Sequence, residues 1–136
     1  MVGEVVVVAV DSPDDIVTAR KAGRDLAQQL GFGLTDRTMI ATAISELARN
    51  ITSYAGTGEV RLSVEQRSGG SALVVRAVDD GPGIVDVARA LEDGYSTGRG
   101  LGLGLPGARR MMDHLEVTSR PGRGTCVEMW KLVSGA

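Results

Sequence analysis

Apolar residues along this chain follow two rhythms, and the changes between them mark its elements. The stretch Glu4 to Val10 is a short valine-rich run and reads as a buried strand. In Asp11-Ser12-Pro13-Asp14-Asp15, Ser12 suits an N-cap, Pro13 suits the first helical position and the acids suit a helix N-terminus. A helix follows with Ile16, Ala19, Gly23, Leu26 and Leu30 on one side, ended by Gly31 and Gly33. From Thr35-Asp36 a second helix carries Ile40, Ile44, Leu47, Ile51 and Tyr54 at steps of four, three, four and three, which is one helical face. Gly56 and Gly58 close it. Two strands, Glu59 to Gln66 and Ala72 to Val78, flank the hairpin signal Ser68-Gly69-Gly70-Ser71. After Asp79-Asp80-Gly81-Pro82-Gly83 come a short helix, Val85 to Leu91, and a glycine loop, Gly94 to Gly104. A helix from Pro106 to His114 precedes two strands, Leu115 to Ser119 and Thr125 to Val133, turned by Pro121-Gly122-Arg123-Gly124. Paired strands with segregated helices indicate an α+β layer rather than a doubly wound sheet.

The length of 136 residues suits a single domain, 1–136, with a core that needs no disulfides. Fifteen basic against 17 acidic residues give a net charge of −2, and aromatics make up only 3%. Neither suits a nucleic-acid binder, which needs basic excess or stacking platforms. The lone Cys126 excludes an internal disulfide and a paired-cysteine zinc site. No apolar run approaches the roughly 20 residues of a membrane span, and a cytoplasmic protein is expected. The valine-rich first strand would either be covered or lie at a sheet edge and pair with another chain. His114 is expected at a helix C-terminus, where the dipole favours it. Cys126, in the last strand, is expected to be packed core, with Met129 and Trp130 packing that strand; Met111, Met112 and Leu115 are expected in the core, with a partner face as the alternative.

Glycine changes the picture. There are 19, against a usual share of roughly 7%, and eight fall between Gly81 and Gly107. Glycine concentrates where backbone turns sharply or approaches a ligand. Gly98-Arg99-Gly100-Leu101-Gly102-Leu103-Gly104 leads into a helix start, where exposed N–H groups suit a phosphate. The P-loop pattern is absent, and Gly102-x-Gly104-x-x-Gly107 lacks the preceding strand that a dinucleotide fingerprint requires. On the second helix Glu46 and Asn50 stand at i and i+4, beside the apolar stripe, with Thr42 and Ser53. A carboxylate and an amide oxygen one turn apart suit a general base next to Mg²⁺, a cation of hard oxygen ligands. Alone, this pair would pass as a polar flank, and Asp79-Asp80-Gly81-Pro82-Gly83 as a turn.

In order, the pieces resemble the ATP-binding domain of the gyrase, Hsp90, histidine kinase and MutL superfamily. Ile44-Ser45-Glu46-Leu47-Ala48-Arg49-Asn50 is similar to its helical asparagine box, and Asp79-Asp80-Gly81-Pro82-Gly83 to its first glycine box. Gly98 to Leu103 is similar to the second glycine box and Gly122-Arg123-Gly124-Thr125 to the third. The resemblance covers essentially the whole chain. It implies a Bergerat fold, a two-layer sandwich of a mixed sheet with helices on one face. Within the superfamily, Ser45 to Ile51, Tyr54-Ala55-Gly56 and Gly100 to Gly107 resemble the small RsbT-type switch kinases more than the RsbW-type anti-sigma kinases. A short lid, about Ile84 to Thr97, fits both.

That resemblance implies the roles. Asn50 would coordinate Mg²⁺ on the ATP phosphates, and Glu46 would be general base for a serine or threonine hydroxyl. Asp79 would accept from the adenine amine, with Thr125 supporting that end. Gly81 and Gly83 would let the backbone pass the nucleotide. Gly98, Gly100, Leu101, Gly102 and Gly104 would cradle phosphates, and Arg49 and Arg99 would add charge at the γ-phosphate. The expected partners are a STAS-domain antagonist as substrate and then a PP2C-type phosphatase, with no nucleic acid and no membrane. A runner-up is an anti-sigma factor holding a sigma subunit. A third reading is a nucleotide binder with little catalysis, against which Glu46 weighs.

Overall fold

The computed structural model of the chain describes residues 5–82, 104–120 and 122–133. They form β1 (Val6–Val10), α1 (Pro13–Gln29), α2 (Leu34–Tyr54), β2 (Gly58–Arg67), β3 (Gly70–Asp79), α3 (Gly104–Met111), β4 (His114–Arg120) and β5 (Gly124–Leu132). The expected helix at Val85 to Leu91, the lid, and Gly83, Gly98, Arg99, Gly100, Leu101 and Gly102 lie outside the described residues.

The strands make one sheet in the order β1-β2-β3-β5-β4, antiparallel at every pairing. The α+β two-layer architecture is as expected, but among the described residues every pairing is antiparallel where a mixed sheet was expected. The reason is the placement of β5. β3 and β4 run the same way, and β5 lies between them, opposed to both. β1 takes one edge, with Val5, Val6 and Val7 substantially exposed.

The first helix stops where its sequence provides a device. At α1 the Gly31 N–H donates to the Gln28 carbonyl and the Phe32 N–H to that of Ala27, both at 3.0 Å, with Gly31 at φ 89°. This is the Schellman arrangement, and the buried Phe32 plugs it into the core. At its start, Ser12 does not cap with its side chain. Instead Asp15 Oδ2 accepts from the Asp11 N–H at 2.9 Å and from the Ser12 hydroxyl at 3.2 Å. Asp15 reaches back across the first turn and secures it from inside the helix. Gly23 lets α1 approach α2, because a Cβ there would collide with Ile44 Cδ1.

Ile40, Ile44, Leu47 and Ile51 of α2 are buried against Val60, Leu62, Leu73, Val75 and Met129 of the sheet. Tyr54, the last position of that stripe, is instead exposed. Met112 and Leu115 join the core as expected, with Met111 packed against it. His114 is not a helix end. α3 stops at Met111 because the turn is drawn into the sheet: the Asp113 N–H donates to the Trp130 carbonyl, and Asp113 Oδ2 accepts from the Leu132 N–H at 2.7 Å. His114 thereby opens β4 and stacks on Trp130, ring centroids 5.4 Å apart.

The sheet face turned away from the helices carries an ion-pair network. Arg76 donates to both Glu65 oxygens, at 2.7 and 3.1 Å, and to Glu128 at 2.8 Å. The Arg76 guanidinium holds the Glu65 carboxyl down at about 2, from an ordinary 4.5. A depressed carboxyl stabilises the fold fully above its unfolded value and loses that contribution as pH falls through its folded value. The stability gap between wild type and Arg76→Met should therefore be widest above pH 4.5 and close as pH falls towards 2. Denaturant midpoints at several pH values check this; a constant gap would exclude the pairing as its source.

Candidate functional site

The long helix α2 places the chemistry. Its apolar stripe faces the sheet, so residues flanking the stripe lie at the margin of the core. Glu46 sits there, only 8% exposed, with Asn50 half-buried one turn on. A buried carboxylate is costly unless paired and hydrogen-bonded, and this one is both. Arg49 Nη1 donates to Oε1 at 2.6 Å, and the Gly104 N–H donates to Oε2 at 2.8 Å. Gly104 is the first residue of α3, at φ 66°. Glu46 thus joins α2 to the positive end of another helix, the end where a phosphate is also stabilised.

Of their polar neighbours, the Thr42 hydroxyl turns back to the Thr38 carbonyl at 2.9 Å, and Ser53 is exposed. The Asn50 amide makes no hydrogen bond among the described residues. No group of three His, Cys, Asp or Glu among the described residues could hold a metal. A single amide oxygen beside a carboxylate fits a cation that takes most of its ligands from phosphates and water, as Mg²⁺ does.

The second part of the site lies where β3 and β5 end together. Asp79 pairs with Thr125 in the ladder, and both fall on the helix-facing side, in line with Ala77 and Val127. Asp79 Oδ1 accepts from the Gly81 N–H at 2.8 Å, which fixes the carboxylate and leaves Oδ2 to the site. Thr125 is buried and shares a hydrogen bond with the Ser119 hydroxyl at 2.9 Å.

Two glycines hold the turn after Asp79 in place. A Cβ on Gly81 would come within 2.6 Å of Ala55 Cβ. The missing side chain therefore admits the end of α2, a use that reading the glycine box for ligand clearance alone did not anticipate. Gly124 sits at φ 91°, and a Cβ there would strike the carbonyl of Asp79. The Gly122 N–H also donates to the Pro82 carbonyl at 2.7 Å. The first and third glycine motifs are one structural unit, with α2 behind it. Gly124, Ala55 and Ser119 were not among the expected site residues. Gly124 lies in the Gly-Arg-Gly-Thr run and Ala55 in Tyr54-Ala55-Gly56, so both carried a sequence signal, and Ser119 carried none.

A cleft of about 320 Å³ also borders this end, lined by Asp79, Asp80, Thr118, Arg123, Thr125 and Cys126 among others. Thr118 and Cys126 pair on the face away from the helices, so the cleft wraps around the end of the sheet. Cys126 is half-buried there rather than packed in the core, and burial pushes its thiol pKa up.

Residues 35–134 match the family model described as histidine kinase-, DNA gyrase B- and HSP90-like ATPase. The chain is 49% identical over 117 residues to the serine/threonine-protein kinase RsbT of Bacillus subtilis (strain 168), covering 86% of this chain and 88% of that one. It is 29% identical over 119 residues to the anti-sigma F factor of Thermoanaerobacter sp. (strain X514), covering 85% and 83%. Among solved structures, the RsbU and RsbW domains of a Mycobacterium tuberculosis protein share its fold, at a TM-score of 0.67 and 16% identity. That match takes in 98% of this chain but only 34% of the other.

Proposed function

Because the chain belongs to the histidine kinase-, DNA gyrase B- and HSP90-like ATPase family, we propose that it is an ATP-dependent serine/threonine-protein kinase of the partner-switching type. The observation that carries this reading is Glu46, a buried carboxylate held at the N-terminus of α3 and one turn from Asn50. A nucleotide-binding module needs no such group. A kinase needs a base where the γ-phosphate lies.

Asp79 Oδ2 accepts from the adenine amine, with Thr125 buttressing that end. Glu46 on α2 and Ala55, the residue that follows its last turn, are nine residues apart, about 13 Å along the helix axis. The adenine can therefore sit by the Gly81–Ala55 contact while the triphosphate extends towards Glu46. The glycine run Gly98, Gly100, Leu101 and Gly102 would offer N–H groups to the phosphates, with Gly104 at the start of α3 beside it. Asn50 would help hold Mg²⁺, which neutralises phosphate charge when bound. In the transfer step the hydroxyl oxygen of the substrate attacks the γ-phosphorus, and the bond from that phosphorus to the β,γ-bridging oxygen breaks. Glu46 takes the hydroxyl proton, and ADP leaves. With no P-loop lysine in the sequence, positioning and backbone donors supply most of the stabilisation.

The substrate is a STAS-domain antagonist. Once phosphorylation has released that antagonist, the kinase engages and activates a PP2C-type phosphatase, which controls a sigma factor. The similarity to an anti-sigma F factor supports a second reading, in which the chain holds a sigma subunit directly. Labelled Mg-ATP and a STAS-domain protein encoded beside this one test the first. Label should appear on a serine or threonine of that partner, and not with Glu46→Ala. An unlabelled partner, with nucleotide binding intact and a sigma subunit captured in a pull-down, would favour the second.

A further inference from the structure

Arg49 has an assignment that the family motifs leave open. Its position beside Asn50 suggested a γ-phosphate ligand, yet its guanidinium donates to Glu46 Oε1 at 2.6 Å. Exposed ion pairs of this i,i+3 kind ordinarily contribute little. Here only one partner is exposed: the Arg49 side chain at 47%, against 8% for Glu46. The two donors on Glu46 also differ in kind. Arg49 belongs to the same helix and moves with it. Gly104 is backbone at the start of α3, where the phosphates are expected. A carboxylate held by one donor on each oxygen cannot turn about its terminal bond. If a phosphate draws the Gly104 N–H away, Oε2 is freed while Oε1 stays fixed.

We propose that Arg49 is a positioning residue for the base, holding Glu46 through Oε1 so that Oε2 faces the substrate hydroxyl once the phosphates have taken the Gly104 N–H. This rests on Glu46 being the general base. Arg49 then acts only through Glu46, and it lowers the barrier without binding ATP.

A double-mutant cycle separates these statements. Arg49→Ala should lower kcat about tenfold or more and leave KM for ATP, and the Kd of a non-hydrolysable ATP analogue, within about twofold. Arg49→Lys, which keeps a donor within reach of Oε1, should recover part of the loss. In a Glu46→Gln background, adding Arg49→Ala should change the residual kcat less than about twofold, because no base remains to position. The proposal is overturned if Arg49→Ala raises the Kd tenfold at unchanged kcat, which would make Arg49 a phosphate ligand. It is overturned equally by a full Arg49 effect in the Glu46→Gln background, or by an Arg49→Ala enzyme that matches wild type. Full activity of Glu46→Gln alone would instead defeat the general-base reading itself.

Discussion

Replacing Glu46 by glutamine should lower kcat for phosphotransfer by about 100-fold or more, the usual contribution of a positioned base, while ATP affinity stays near wild type. Glutamine is the informative change because Glu46 has a structural bond as well as the chemical role proposed for it. Its Oε2 receives the Gly104 N–H at the start of α3. Glu46→Ala leaves that half-buried donor without its protein partner, which costs less than the roughly 1–3 kcal/mol of a fully buried one and loosens α3 where the phosphates are proposed to bind. The amide of glutamine keeps an oxygen for Gly104 but cannot take a proton from the substrate hydroxyl. Single-turnover transfer and analogue binding, measured on both variants, divide the two contributions. A Glu46→Gln enzyme with wild-type kcat removes Glu46 from the chemistry. A Glu46→Gln enzyme that no longer binds nucleotide makes its role structural.

Much of the fold can be read in the residues because its signals are local. The steps of four and three from Ile40 to Ile51 place α2, and Ser68-Gly69-Gly70 places the β2–β3 hairpin, with Gly69 and Gly70 at φ 100° and 133°. Strand order is different in kind. Nothing within β4 or β5 states that β5 pairs with β3 as well as with β4, since that pairing is set by how the chain returns through α3. The helical reading of His114 failed for a related reason. Residues 104–113 do begin as a helix, but the contacts that end it, from Asp113 to Trp130 and Leu132, come from β5, outside the helix's own stretch of sequence.

The candidate site divides the same way. Glu46, Asn50, Asp79 and Thr125 are named by the family resemblance, and the ladder brings Asp79 and Thr125 together. What those glycines and arginines touch could not be read. Gly81 accommodates Ala55, Gly124 accommodates the Asp79 carbonyl, and Arg49 meets Glu46. A glycine box signals that a side chain must be missing, but which neighbour requires the space is decided by tertiary packing.

Asp79→Asn should weaken ATP binding about 10- to 100-fold, with the thermal midpoint of the unliganded protein almost unchanged. The geometry supplies the argument. Asp79 Oδ1 is already committed to the Gly81 N–H at 2.8 Å. An asparagine keeps that bond by presenting its one carbonyl oxygen there, which turns its NH₂ into the position of Oδ2. In the proposed binding mode the adenine amine then meets a donor in place of a carboxylate oxygen, and a hydrogen bond to a charged group contributes about 1.5–3 kcal/mol. If the amide flips to meet the adenine, the Gly81 N–H is the group left facing a donor, and the turn packed on Ala55 and joined to Gly122 is strained instead. Either way affinity falls, and the two routes are distinguishable. In the first the unliganded protein melts as wild type does, and a nucleotide with a 6-carbonyl in place of the amine regains affinity, because it accepts from the new donor. In the second the midpoint drops and that nucleotide gains nothing. Equal affinity of wild type and Asp79→Asn for ATP would remove Asp79 from the adenine and leave it only its contact with Gly81.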